Sequence, residues 1–111
     1  MLPRKNRVKR KQFEALLKES FLRHIPYFSM RSKRNNASLP FSFAVVVSKK
    51  VIKTAVGRNL IKRRVRAIVE ELHHARKEEW NTSIVLFLKK EGTTLSFKEL
   101  KLQIQDVFRK I

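Results

Sequence analysis

Residues 49–66 read Lys-Lys-Val-Ile-Lys-Thr-Ala-Val-Gly-Arg-Asn-Leu-Ile-Lys-Arg-Arg-Val-Arg, with eight basic side chains and no acidic one. The spacing predicts a helix from about Thr54 to Lys77, because Ile61, Val65, Ile68 and Leu72 recur at i, i+4, i+7 and i+11. With Arg58 set at 0° and about 100° per residue, that apolar stripe occupies roughly 280° to 340°. Lys62 and Arg66 then fall near about 40° and 80°, Asn59 near about 100° and Arg63 near about 140°. Arg58, Lys62 and Arg66 form a row beside the stripe, Asn59 and Arg63 extend it, and only Arg64 falls on the other flank. Such a row suits a phosphate backbone. Guanidinium groups grip phosphate oxygens in bidentate fashion, Lys adds point charge, and Asn donates to sugar or base edges. A face that served only solubility would mix signs and set Glu at i±4 to the cations. Here the first acid is Glu70.

The chemistry of bond cleavage has no comparable constellation. Metal-assisted hydrolysis of a phosphodiester needs clustered carboxylates or imidazoles. Glu70 and His74 stand at i, i+4, the spacing of an ordinary exposed helix pair, and the other acids are scattered. His24 and His73 read as surface or core-edge residues, and no Ser/His/Asp or Cys/His arrangement stands out. The expectation is a binding protein with no catalytic or metal-ligating residue of its own.

Charge across the chain agrees with the helix. The 111 residues carry 27 Lys/Arg against 9 Asp/Glu, a net charge of +18. Residues 1–69 hold 19 basic and 2 acidic side chains, whereas residues 70–111 hold 8 and 7. A block so lopsided repels itself unless a polyanion neutralises it. Hydrophobic residues make up 42%, enough for one small core, so one domain spanning 1–111 is expected rather than a disordered polycation. The absence of cysteine excludes a disulfide framework and a thiolate metal site, and fits a reducing cytoplasm. No apolar run approaches the roughly 20 residues of a membrane helix. The basic N-terminus has no apolar segment behind it of the kind a signal peptide needs.

The elements that must position the basic helix are legible in outline. Lys11 to Leu22 carries Phe13, Leu16, Leu17 and Phe21 on one face, a first amphipathic helix limited by Pro26. Tyr27 to Arg31 reads as a short strand, and Ser32 to Pro40 as a polar loop. Phe41 to Ser48 alternates with period two. Phe41, Phe43, Val45 and Val47 are expected on the core side; Ser42, Ala44, Val46 and Ser48 form a smaller face open to water or a ligand. Ser83 to Lys90 is apolar on both faces, as in a central strand. Ser96 and Glu99 have capping-box spacing at the head of a last helix lined by Phe97, Leu100, Ile104, Val107, Phe108 and Ile111. The fold class is α+β, a small mixed sheet packed with three helices in the order α-β-β-β-α-β-α.

Three ordered segments resemble one family. Ser48-Lys49-Lys50-Val51 followed by Ala55-Val56-Gly57-Arg58-Asn59-Leu60-Ile61-Lys62-Arg63 is similar to the signature of the bacterial ribonuclease P protein component. Asn6 to Glu14 matches that family's opening, and Leu95 to Leu100 with Val107 to Lys110 matches its last helix. Two departures stand out: Leu60 replaces the third residue of the family's usual Arg-Asn-Arg, and Ile52-Lys53 replaces a Gly after the Lys pair. The resemblance implies a left-handed βαβ crossover, an exception to the usual right-handed rule. It further implies a bacterial, cytoplasmic ribonucleoprotein in which a large RNA subunit cleaves the 5′ leader from precursor tRNA. No cofactor would be bound by the protein alone, and magnesium is expected with the RNA. Carried over by position, Arg58, Asn59, Lys62, Arg63 and Arg66 would face the catalytic RNA. Phe13, Leu17, Arg31, Ser42, Ala44, Val46, Ser48, Lys49 and Lys50 would line a cleft for the leader. No membrane or small-molecule substrate is implied. A ribosomal or general RNA-binding protein fits the composition equally well, but would not alter tRNA processing.

Overall fold

Apolar periodicity and local capping explain the helices and the inner strands. The structure, a computed structural model, describes residues 7–19, 22–34, 41–75 and 82–109. Helix α1 (Arg10–Glu19) leads into strands β1 (Leu22–Ile25) and β2 (Phe28–Arg34), then β3 (Ser42–Val46), helix α2 (Ala55–Ala75), strand β4 (Thr82–Leu88) and helix α3 (Phe97–Arg109). A 3-10 turn, Lys90–Thr94, precedes α3. The four strands form one sheet in the order β1-β2-β4-β3, antiparallel except for the β3–β4 pair. The expected α+β order and mixed sheet are what the chain adopts.

The boundaries differ most from expectation in the first half of the chain. The first helix is described over Arg10–Glu19, and Leu22, expected at its end, instead opens the strand Leu22–Ile25. Its partner β2 runs on through Ser32–Arg34, into what reads as loop, because β4 supplies hydrogen bonds along its whole length. The hairpin between them turns at Pro26-Tyr27, where Tyr27 adopts a left-handed φ of 70°. That conformation costs a non-glycine residue about 1 kcal/mol or more. The Tyr27 carbonyl accepts from the Lys89 amide at 2.9 Å, and Lys89 Nζ donates to the Ile25 carbonyl at 3.1 Å, so the end of β4 holds the turn. Phe21, Lys77 and Ile111 lie outside the described residues.

The main core fills one face of the sheet. Phe28 and Met30 on β2, Phe43 and Val45 on β3, and Ile84, Leu86 and Leu88 on β4 pack with Ile61, Val65, Ile68 and Val69 of α2 and Leu100, Ile104, Val107 and Phe108 of α3. Phe41 and Val47, flanking β3, are buried there as their alternation predicts. The α2 stripe is wider than four residues because Val69 joins it. Phe97 departs from the other α3 positions: it is 47% exposed. The Ser96 cap forms as its spacing predicts, with the Glu99 amide donating to Ser96 Oγ at 3.2 Å and that hydroxyl 3.0 Å from the Glu99 carboxylate. Leu16 of α1 and Val85 of β4 are buried outside this core, and α1 lies against β2 and β4 on the opposite face.

Candidate nucleic-acid interface

Helix α2 begins where Thr54 caps it: the Gly57 amide donates to Thr54 Oγ1 at 3.1 Å. Gly57 is needed there, since a Cβ would stand 2.8 Å from that hydroxyl and 2.9 Å from Ile52 Cγ2. Burial of Ile61, Val65 and Ile68 fixes the helix's rotation and so turns the basic row outward. Asn59, Arg63 and Arg66 are exposed, Lys62 is half-buried along its stem, and Arg64 is exposed on the other flank. Asn59, Arg63, Arg66 and Ala67 line one concave surface. None of Lys62, Arg63, Arg64 and Arg66 forms an ion pair with a described carboxylate. Of the acids on the helix, Glu70 lies 3.8 Å from His74, and Glu71 pairs with Lys101 of α3 at 2.9 Å.

Arg58 has a second task that periodicity does not reveal. Its Nη1 donates to the carbonyls of Ile52 at 3.0 Å and Lys53 at 2.9 Å. The Ser48 carbonyl accepts from the amides of Val51 and Ile52, closing the turn that displays Lys49 and Lys50. Arg58 therefore ties the lysine turn to the head of α2, with its remaining guanidinium nitrogens left for other partners. Arg58→Ala is expected to lower stability by about 1–2 kcal/mol in urea, from two lost charge-assisted bonds. Lys62→Ala, which breaks no such bond, should stay within about 0.5 kcal/mol. Equal denaturation midpoints for the two variants would remove the clamp.

The second candidate surface is the α1 side of the sheet. Strand register places Ser29, Arg31 and Lys33 of β2, Ser83, Val85 and Phe87 of β4, and Ser42, Ala44 and Val46 of β3 on this side. Phe13 is half-buried and Leu17 is 44% exposed on α1, and Arg31 Nη1 donates to the Leu17 carbonyl at 3.3 Å, bracing helix to sheet. Ala44 and Val46 are half-buried, and Ser48, Lys49 and Lys50 are exposed just past the end of β3. Ser42 corrects the expectation of an open face: it is 1% exposed and its Oγ lies 2.7 Å from Ser83 Oγ. The serine pair satisfies two buried hydroxyls and leaves neither open to a ligand.

Phe87 was missed. In sequence it is one of five apolar residues in a central strand, but register sets it between Ser29 and Val46 on the α1 side, half-buried. The usable signal was its parity: Ile84, Leu86 and Leu88 face the core, so Phe87 cannot. His73 proves to be a packing residue, stacked on Phe41 at 4.9 Å and 22°. Among the described residues, no three His, Cys, Asp or Glu side chains group as metal ligands, and no helix is long and apolar enough to cross a membrane.

Comparison with known proteins adds sequence and fold relatives. The family model described as Ribonuclease P matches residues 2–111. The ribonuclease P protein component of Vibrio vulnificus is 39% identical over 75 residues, which is 68% of this chain and 60% of the Vibrio protein. That of Microcystis aeruginosa is 34% identical over 89 residues, 77% of this chain and 74% of the relative. The RNase P protein from Thermotoga maritima superposes with a TM-score of 0.79 at 22% identity, covering 95% of this chain and 96% of that one. The Staphylococcus aureus protein does so at 0.75 and 21%, covering 92% and 90%.

Proposed function

The chain belongs to the ribonuclease P protein family, and from that premise we propose that it acts as the single-domain protein subunit of a bacterial ribonuclease P ribonucleoprotein. In this reading the α2 ridge of Arg58, Asn59, Lys62, Arg63 and Arg66 holds the RNA subunit. The α1 side of the sheet, with Phe13, Leu17, Arg31, Ala44, Val46, Ser48, Lys49 and Lys50, receives the 5′ leader of precursor tRNA, and Phe87 belongs to the same surface. Cleavage and its magnesium ions are assigned to the RNA, in the cytoplasm. The observation that carries the reading is the α2 ridge, whose cations are set outward by a buried stripe and left without described carboxylate partners. A polyanion is the complement that such a surface lacks.

Reconstitution tests it. Protein freed of RNA should leave precursor tRNA intact, and adding it to a bacterial ribonuclease P RNA should restore 5′ cleavage at magnesium concentrations where the RNA alone is slow. Cleavage by RNA-free protein would overturn the placement of the chemistry, and no effect on the RNA at any magnesium concentration would overturn the subunit role.

The leader surface has its own test. A single-stranded leader is held by charge plus stacking on aromatic faces, at about 1–3 kcal/mol per stacked base. Phe13→Ala and Phe87→Ala should each weaken holoenzyme affinity for leader-bearing precursor by about fivefold or more, with mature tRNA affected little. Equal losses for both RNAs would make these rings packing residues only.

A further inference from the structure

Helix α2 shows a second outward strip that the cationic ridge does not include. Val56 is 81% exposed and Leu60 45%, on a helix whose core stripe lies on the opposite side. Continuing the wheel from Arg58, Val56 and Leu60 fall near about 160° and 200°, Ala67 near about 180° and Arg63 near about 140°. Val56, Leu60 and Ala67 thus fall within about 40° of one another, facing away from the core stripe. Ala67 is exposed, and Arg63 and Ala67 also line the concave surface beside Asn59 and Arg66. The strip is bounded by Arg63 on one side and Arg64 on the other.

We propose that this strip is an apolar contact to RNA, packing against ribose and base edges while the adjacent ridge holds phosphates. The inference rests on the assignment of α2 to the RNA subunit and adds a component that is not ionic. Charge decides the occupant. Residues 58–66 carry five cations and residues 49–69 no acid, so a second copy of this face would be repelled. The strip is one helix wide, far short of the roughly 800 Å² per partner that a stable protein interface buries. RNA satisfies both conditions: its phosphates neutralise the flanking guanidinium groups, and the wide, shallow minor groove of an A-form helix presents ribose and base edges that short apolar side chains can reach.

Salt separates the two components, because counterion release depends on ionic strength and apolar contact does not. The experiment compares Leu60→Gln with Val56→Gln, both exposed and both to a good helix former, in binding to an in vitro transcribed bacterial ribonuclease P RNA between about 0.1 and 1 M salt. The pair of substitutions should weaken binding by about tenfold at every salt concentration, leaving the slope of log K against log salt unchanged. Leu60→Arg should instead steepen the slope by about 0.7–0.9 while losing affinity at 1 M. Unchanged binding by the Gln variants overturns the strip, as does a monomer–dimer equilibrium in sedimentation that those variants abolish. Lys62→Ala in the same series reads the ridge: if its slope is also unchanged the underlying α2 assignment fails, whereas a flattened slope with silent Gln variants sinks only the strip.

Discussion

A chain bearing Lys62→Ala, Arg63→Ala and Arg66→Ala together is expected to bind the RNA subunit about thirtyfold to eightyfold more weakly at 200 mM salt, and as well as the parent near 1 M. Each phosphate contact contributes about 0.7–0.9 to the slope of log K against log salt. Three lost contacts therefore lower the slope by about 2.1–2.7, and extrapolation from 1 M gives the stated loss. The fold should survive, since these side chains are exposed or half-buried and form no ion pair with a described carboxylate. Arg58 is left out of the set because its substitution would also loosen the Lys49–Lys53 turn, mixing lost packing with lost charge. Filter binding or fluorescence anisotropy across a salt series measures both quantities. A uniform loss with an unchanged slope would mean that these cations do not meet phosphates.

The α2 face was legible because two periodicities coincide there. The stripe of Ile61, Val65 and Ile68 fixes the rotation of the helix, and rotation alone sends the basic row outward. What periodicity cannot carry is a side chain's bond to backbone before the helix, so Arg58's clamp on Ile52 and Lys53 had no signature. Likewise β1 could not be read from its own residues. Leu-Arg-His-Ile is exposed along most of its length and is a strand because β2 lies beside it, with Pro26 and Tyr27 making the turn. Tertiary pairing overrides local propensity in such short edge strands.

The α1 side of the sheet was half legible for a different reason. Alternation in β3 separated Phe43 and Val45 from Ala44 and Val46 correctly, since period two is a property of the strand itself. Whether a residue on the second face is open depends on its neighbour in the sheet. Ser42 sits opposite Ser83, and the two hydroxyls bond to each other; Val46 sits opposite Phe87, where the face stays half-open. The cross-strand partner, supplied by the parallel register of β3 on β4, is information that no single segment contains.

Among the described side chains of α1 Leu16 alone is buried, and this makes it the position where a single substitution should have the largest structural effect on the proposed leader surface. Leu16 is 2% exposed and lies outside the main core, and Arg31 braces the helix to the sheet through the Leu17 carbonyl. Leu16→Ala removes buried methyl groups at a cost of about 2–5 kcal/mol. That energy is not drawn from the α2–α3 core, so the expected result is local release of Arg10–Glu19 instead of global unfolding. Hydrogen exchange should show lost protection in α1 with α2, α3 and β4 retained. Release of α1 would open one wall of the surface that carries Phe13 and Leu17, so affinity for leader-bearing precursor should fall toward that for mature tRNA. Affinity for the RNA subunit, which we assign to α2, should stay within about twofold. Intact discrimination between precursor and mature tRNA in a variant whose α1 has lost protection would separate the helix from leader binding altogether.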